Sequence, residues 1–306
     1  MPLHVDTPLL ESLPLSLAAG RGVWLKLDAL QPSGSFKLRG IGHACEVYHE
    51  RGARRFVTSS GGNAGLAVAY AGRRLGTAVL VVVPESTTDT AIALLRREGA
   101  EVAVHGASWQ EANDVALARV AAADAYIHPF DDPLLWEGHA SMVDEVARAG
   151  LRPDAVVLSV GGGGLLSGVA EGMRRNGWDQ VPIVAVETAG AASLHASIAA
   201  GEVVALDAIT SVATSLGAKR VCERAWQWTR ERRVRSVLVS DGAALSACER
   251  FLADHRILVE PACGASLALG YTRHAALEPF GSVLVIACGG ATATIDQIRR
   301  WAGREA

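Results

Sequence analysis

The sequence predicts an α/β protein in which parallel strands alternate with helices in two lobes. Several apolar runs consist almost entirely of Val, Ile, Leu and Ala, as in strands covered on both faces. The stretches between them have the composition of helices, and residues 129–133 (PFDDP) form a turn-rich segment near the middle of the chain. Alternation favours parallel sheets with right-handed crossovers, and the turn-rich segment favours a division there.

These patterns predict the following elements. Strands are expected at residues 55–58, 78–83, 101–104, 155–160, 183–186, 236–239 and 282–287, and helices at 63–75, 90–98, 110–123 and 244–253. Ligands of such folds bind at the carboxyl ends of the strands, where loops lead into helices. The loops that follow these strands are therefore the candidate binding segments.

Composition excludes several classes of function. The 306 residues are half hydrophobic, and 29 basic and 32 acidic residues are interspersed, with no basic stripe for nucleic acid. No apolar run approaches the ~20 residues of a membrane span, and no signal peptide is evident. Five widely spaced cysteines form neither a disulfide framework nor a zinc site. We therefore expect a cytoplasmic protein that binds a small molecule.

Four consecutive glycines follow the strand at 155–160, in the segment SVGGGGLLSG. Glycine costs up to ~1 kcal/mol relative to alanine in regular structure, and no simple turn needs four in a row. The segment matches neither the dinucleotide fingerprint nor a P-loop. It predicts a backbone cradle for a phosphate at a helix N-terminus.

A second small-residue loop, SSGGNAG at residues 59–65, follows the strand at 55–58. Its backbone N–H groups could bind a carboxylate or a phosphate. The alternative is a tight turn in which Asn63 caps the helix.

Lys37 and Cys288 complete the set of candidate residues. Lys37 opens a probable helix, where the helix dipole disfavours a cation and can prepare a neutral amine for attack on a carbonyl; the alternative is a surface lysine. Cys288 follows the last strand, and its alternative role is core packing. A lysine, two anion loops and a small polar residue together suit a cofactor with an aldehyde, a phosphate and a pyridine ring, such as pyridoxal phosphate.

These motifs resemble those of the fold-type-II (tryptophan synthase β-like) pyridoxal-phosphate enzymes, and most closely the L-serine/L-threonine dehydratases of the mammalian liver type. The resemblance covers nearly the whole chain and rests on QPSGSFK (31–37), PFDDPL (129–134), VGGGGLL (160–166), VEPACGA (259–265) and CGG (288–290). It implies a large domain of residues 1–31 and 134–306, a small domain of residues 32–133, and a cofactor in the cleft between them.

The resemblance also implies roles for individual residues. Lys37 would hold the cofactor as a Schiff base and move the α-proton, Phe36 would pack on the pyridine ring, and Cys288 would lie beside the ring nitrogen. Asn63 would bind the ring hydroxyl. The phosphate would be bound by Gly161, Gly162, Gly163, Gly164 and Leu165, the substrate carboxylate by Ser60, Gly61, Gly62, Asn63 and Ala64, and a monovalent cation (K⁺) by Gly161, Glu187, Ala191, Leu216 and Ala218.

The activity implied is deamination of L-serine to pyruvate, and of L-threonine to 2-oxobutyrate, by a homodimer. Racemisation is disfavoured, because racemases of the family carry serine where this chain has Gly61. β-Replacement remains an alternative reaction on the same cofactor. A non-catalytic amino-acid-binding homologue is the alternative from another class, although binding alone does not require Lys37.

Overall fold

The computed structural model describes residues 1–303. The strands in this part of the chain are β1 (Leu9–Glu11), β2 (Gly22–Lys26), β3 (Arg55–Thr58), β4 (Ala78–Val83), β5 (Glu101–Val104), β6 (Asp124–Tyr126), β7 (Ala155–Ser159), β8 (Ile183–Thr188), β9 (Val234–Val239) and β10 (Ser282–Ile286). The helices are α1 (Leu13–Ala19), α2 (Lys37–Glu50), α3 (Asn63–Leu75), α4 (Asp89–Arg97), α5 (Trp109–Ala118), α6 (Pro133–Arg148), α7 (Gly164–Arg175), α8 (Ser193–Ala200), α9 (Glu223–Glu231), α10 (Asp241–His255), α11 (Pro261–Tyr271) and α12 (Ile295–Trp301), with 3-10 turns at Asp28–Leu30, Thr214–Leu216 and Ala275–Leu277.

The strands form two separate sheets. The larger has the order β1-β2-β10-β7-β8-β9, and the smaller has the order β5-β4-β3-β6. Every neighbouring pair is parallel except β1 with β2. The predicted parallel α/β architecture is therefore confirmed. The smaller sheet lies within the segment predicted as the small domain, while the domain boundaries themselves stay a prediction.

All seven predicted strands are present, but the sequence patterns missed β1, β2 and β6. Two of the three have only three residues, too few for a periodic pattern to emerge. The prediction that one helix extends to residue 123 was wrong, since α5 ends at Ala118. Its end is set by a turn into β6, in which the Ala121 N–H donates to the Asp124 carboxylate at 2.8 Å.

The largest apolar core lies between the larger sheet and the helices around it, and two smaller clusters flank the smaller sheet. Strands β7 and β8 are buried at every position, and so is α11, which is apolar on all sides. All five cysteines are buried and unpaired. Within residues 1–303, no helix is long and apolar enough to cross a membrane.

Parallel strands bring three loops to corresponding edges of the two sheets. Residues 59–62 connect β3 to α3, residues 160–163 connect β7 to α7, and the segment after β10 begins at Ala287. A bridge between Ser35 and Gly289 fastens the chain just before α2 to this last segment. The fold thus gathers the start of α2 and the three loops.

A fully buried ion cluster joins α2 to the large sheet. The Arg39 guanidinium donates to the Asp28 carboxylate at 2.7 and 3.0 Å and also to both carboxylate oxygens of Glu145. The Lys26 ammonium donates to Glu145 and to the backbone oxygen of Thr7. Two cations and two carboxylates therefore balance in the interior, where an unpaired charge would be costly.

We predict that Arg39→Ala lowers the free energy of unfolding by about 3–5 kcal/mol, because two buried carboxylates lose their main counter-charge. Urea unfolding measures the change. Arg73→Ala is the matched control, since Arg73 pairs with Glu98 at the surface and an exposed pair contributes at most about 1 kcal/mol. Equal small losses in both variants would contradict a dominant role for the cluster.

Candidate active site

The four-glycine loop leads from β7 into α7 and ends at the N-terminus of that helix. Gly163 is the residue before α7 and has φ +93°, in the left-handed region that favours glycine. A Cβ on Gly162 would lie 2.4 Å from Cγ of Phe130, so that ring packs directly on the backbone. Within residues 1–303, the backbone N–H groups of residues 161–165 donate to no backbone carbonyl group in a turn, loop or cap. The loop has the geometry of an anion cradle at a helix N-terminus.

The second loop, residues 59–62, stands at the start of α3. The helix begins at Asn63, and Gly62 precedes it without a side-chain cap. The alternative in which Asn63 caps the helix is therefore wrong. A Cβ on Gly65 would lie 1.8 Å from the carbonyl oxygen of Ser60, so the loop folds tightly over the helix start.

Gly61 is packed closely rather than loosely. A Cβ at this position would lie 2.8 Å from Cγ2 of Thr87 and 3.2 Å from Cγ1 of Val83. Any side chain at this position would thus compete with Thr87 for space. Glycine lets the loop approach the segment between β4 and α4.

Lys37 is the first residue of α2 and its side chain is partly buried. The amine donates to the carbonyl oxygen of Pro129 at 2.5 Å and lies 5.2 Å from the centre of the Phe36 ring. Burial lowers the pKa of Lys37 to about 8, against the opposing influence of Cys288, Cys222 and Glu260. A sizeable fraction of the amine is therefore neutral near pH 7–8, as a nucleophile requires.

Phe36 and Cys288 meet beside Lys37. The Phe36 N–H donates to the carbonyl oxygen of Cys288 at 3.0 Å. The Cys288 thiol is buried, and its pKa is raised by its neighbour Cys263 and by burial, so the group is a neutral thiol. Cys288 thus lies at the site as well as in the core, and the two roles proposed for it are compatible.

Asn63 points away from its own helix and across to the large sheet. Its amide NH₂ donates to the Glu260 carboxylate and lies 3.5 Å from the Ser215 hydroxyl. Its oxygen accepts the N–H of Ala291 at 3.0 Å. Sequence reasoning missed Glu260 and Ser215, although Glu260 lies in the quoted VEPACGA motif and a glutamate before a buried apolar helix was a usable signal.

Two histidines, His128 and His139, lie near Lys37. Burial and the positive charge of Lys37 lower the pKa of His128 to about 4, and its Nδ1 accepts the N–H of Asp131 at 2.8 Å. His139 is buried 4.9 Å from the Phe36 ring, and its pKa is also lowered by burial. Both are neutral groups that support the backbone and the aromatic ring.

The residues predicted for a cation lie behind the glycine loop. A Cβ on Gly161 would be 2.9 Å from Cα of Leu216, so these two backbones touch. Glu187 is the penultimate residue of β8, and its carboxylate oxygens accept the N–H groups of Leu194 and His195 in the first turn of α8 at 2.8 Å each. Burial raises the pKa of Glu187 to about 7. The carboxylate has backbone donors here, and whether a cation joins them stays a prediction.

The residues present fit the cofactor that the motifs predict. The glycine loop offers free amides for a phosphate, and Lys37 offers an amine with a lowered pKa for an aldehyde. The hydroxyl of Ser35, two residues before Lys37, is buried without a partner among residues 1–303. The aldehyde, the ring and the phosphate of such a ligand would each lie beside a suitable group.

A two-lobed α/β fold with a lysine between two anion loops defines a pyridoxal-phosphate-binding protein. A family model described as pyridoxal-phosphate dependent enzyme matches residues 1–289. The chain belongs to this family.

Its relatives agree with the family resemblance found in the motifs. The chain is 49% identical to the mouse L-serine dehydratase/L-threonine deaminase, with 97% of this chain and 94% of the mouse protein covered. It is 50% identical to the human serine dehydratase-like protein over 94% of this chain and 91% of that protein. The fungal L-serine ammonia-lyase from Rhizomucor miehei superposes with a TM-score of 0.92 at 35% identity, covering 98% and 99% of the two chains. The predicted family and fold class are confirmed.

We predict that Gly162→Ala weakens the binding of pyridoxal phosphate by at least about tenfold, because the added methyl group displaces the loop or the Phe130 ring and with it the amides. Fluorescence titration of cofactor into the protein measures this. Gly242→Ala is the control, since a Cβ there would meet its nearest atom, Ser240 Oγ, at 3.9 Å. Equal affinities in the two variants would show that the cradle is not the phosphate site.

Proposed function

We propose that the chain is a pyridoxal-phosphate-dependent ammonia-lyase that converts L-serine to pyruvate and ammonia, and L-threonine to 2-oxobutyrate. The observation that carries the proposal is the placement of the Lys37 amine, which donates to the carbonyl oxygen of Pro129 and lies 5.2 Å from the centre of the Phe36 ring, with its pKa lowered to about 8 by burial. The activities for which the mouse and fungal relatives are named support it. The cofactor binds in the cleft between the lobes.

The chain's own residues supply binding and proton movement. The amides of residues 161–165 would hold the phosphate, and those of 60–64 would hold the substrate carboxylate. Phe36 would cover one face of the ring and Asn63 would donate to the ring hydroxyl. The neutral amine of Lys37 would remove the α-proton as general base. When bound, the cofactor acts as an electron sink for the bonds at the α-carbon.

Cys288 directs the site towards elimination. A neutral thiol beside the ring nitrogen cannot stabilise a positive charge there as a carboxylate would. With a neutral thiol at this position, the cofactor would supply only moderate electron withdrawal, which would favour loss of the β-hydroxyl together with the α-proton. Gly61 has no side chain to exchange protons on the face opposite Lys37, which argues against racemisation.

We predict that purified, cofactor-loaded protein releases pyruvate from L-serine and that Lys37→Ala lowers the rate by at least about 10²–10⁴-fold, as expected for loss of a general base. Arg97→Ala, an exposed change on α4, is the control. Borohydride reduction and peptide mapping can then distinguish Lys37 from the other two lysines, Lys26 and Lys219. If cofactor is bound at Lys37 and no pyruvate is released, the result would favour β-replacement or a role in binding alone.

We also propose that K⁺ binds behind the glycine loop, and that the enzyme is a cytoplasmic homodimer. The cation would supply the buried Glu187 carboxylate with a counter-charge. Its other ligands would be backbone carbonyl oxygens of Gly161, Ala191, Leu216 and Ala218.

The cation proposal predicts that KCl raises the unfolding temperature above that in LiCl at equal ionic strength, by a few degrees. Binding at a hundred times the dissociation constant stabilises by about 2.7 kcal/mol. Differential scanning fluorimetry measures the difference. Glu187→Gln removes the negative charge that would attract the cation, so the difference in unfolding temperature between KCl and LiCl should disappear. An unchanged difference in that variant would place the cation elsewhere.

A further inference from the structure

A buried carboxylate beside the cofactor site has no role in the scheme above. Glu260 is 4% exposed and directly precedes α11. Its hydrogen-bond partners are the Asn63 amide, the hydroxyls of Thr292 and Ser215 and the backbone N–H of Thr292, rather than a basic side chain. The Lys37 amine interacts with it electrostatically but does not hydrogen-bond to it. Burying a carboxylate that no basic side chain hydrogen-bonds costs several kcal/mol, so stability alone does not account for it.

The surrounding backbone is shaped to make room for this carboxylate. A Cβ on Gly290 would lie 2.1 Å from Cδ of Glu260, and Gly290 has φ +135°. The last glycine of the CGG segment thus leaves the space that the carboxylate occupies. Thr292, two residues further on, donates its hydroxyl to the second oxygen of Glu260 at 2.8 Å.

Glu260 fixes which way the Asn63 amide faces. The Asn63 NH₂ donates to Glu260, and the Asn63 oxygen accepts the Ala291 N–H at 3.0 Å. A flipped amide would set its oxygen against the carboxylate and its NH₂ against an N–H donor, which removes both hydrogen bonds. The second N–H makes only a long contact of 3.5 Å, to Ser215, and is the one left for a ligand.

The same contact joins the two sheets. Asn63 starts α3, which packs on the small sheet, whereas Glu260 directly precedes α11, which packs on the large sheet. An amide orientation set by Glu260 therefore also sets the position of the substrate loop relative to the end of β10.

We propose that Glu260 is a positioning residue, whose carboxylate holds the Asn63 amide with one N–H turned to the ring hydroxyl of the cofactor. The proposal rests on the cofactor site described above and not on which reaction follows. Cofactor affinity is therefore its test, and that affinity can be measured even if no pyruvate is released.

The experiment is a double-mutant cycle on the cofactor dissociation constant. Glu260→Gln keeps the volume but offers Asn63 an amide of ambiguous orientation, and we expect about tenfold weaker binding, comparable to one lost hydrogen bond. Asn63→Ala should weaken binding at least as much. The double variant should bind no worse than Asn63→Ala alone, because Glu260 acts through Asn63. Glu98→Gln, the same change at the surface, should have no effect.

A second readout separates positioning from a structural role. Urea unfolding without added cofactor should show no marked loss of stability in Glu260→Gln, since the side-chain volume is kept and the cost of burying a carboxylate without a hydrogen-bonded basic side chain is removed. Additive effects in the cycle, an unchanged dissociation constant, or a marked loss of unfolding free energy would each overturn the proposal. If the glutamine variant does not fold, Glu260→Asp, whose carboxylate is one methylene shorter, serves in the same cycle.

Discussion

The buried contact of Arg39 with Asp28 and Glu145 determines where the reactive lysine can lie. Arg39 is two residues after Lys37 on α2, and its partners belong to a turn beside the large sheet and to α6. The guanidinium is planar and its bidentate hydrogen bonds allow little rotation. Helix α2 therefore cannot turn or slide without breaking a fully desolvated cluster. The same contacts hold the first turn of the helix in place, and Lys37 is its first residue.

The position and the burial of Lys37 then set the pKa of its amine. The start of α2 places Lys37 at the positive end of a helix dipole, and burial removes the water that would stabilise its charge. The nearby histidines are also held neutral, with the pKa of His128 lowered to about 4. Glu260 and the thiols oppose the shift. The balance is a pKa near 8, low enough for a reactive fraction and high enough for the amine to take up a proton again.

The strands and the anion loops could be predicted because their signals are local. Near-continuous apolar runs predict β4, β7 and β10, and the four glycines after β7 predict a phosphate cradle. Neither prediction needs information on tertiary contacts. By contrast, Asn63 and Glu260 are 197 residues apart, and no local pattern pairs them. The same holds for Phe130, whose ring explains why Gly162 must be a glycine. The family resemblance supplied the role of Asn63 but not the group that orients it.

The placement of neutral and charged groups in the site constrains its chemistry. The start of α7 offers uncharged amides for the phosphate that we propose there, and Cys288 offers a neutral thiol for the proposed ring nitrogen. The amine of Lys37 is the basic group on one face of the proposed site, while Gly61 leaves the loop at 59–62 without an ionisable side chain. In the proposed reaction, proton transfer would therefore be confined to the Lys37 face, and electron withdrawal by the ring would be moderate. Such a site is suited to removing a proton as a leaving group departs, and poorly suited to returning that proton from the opposite face.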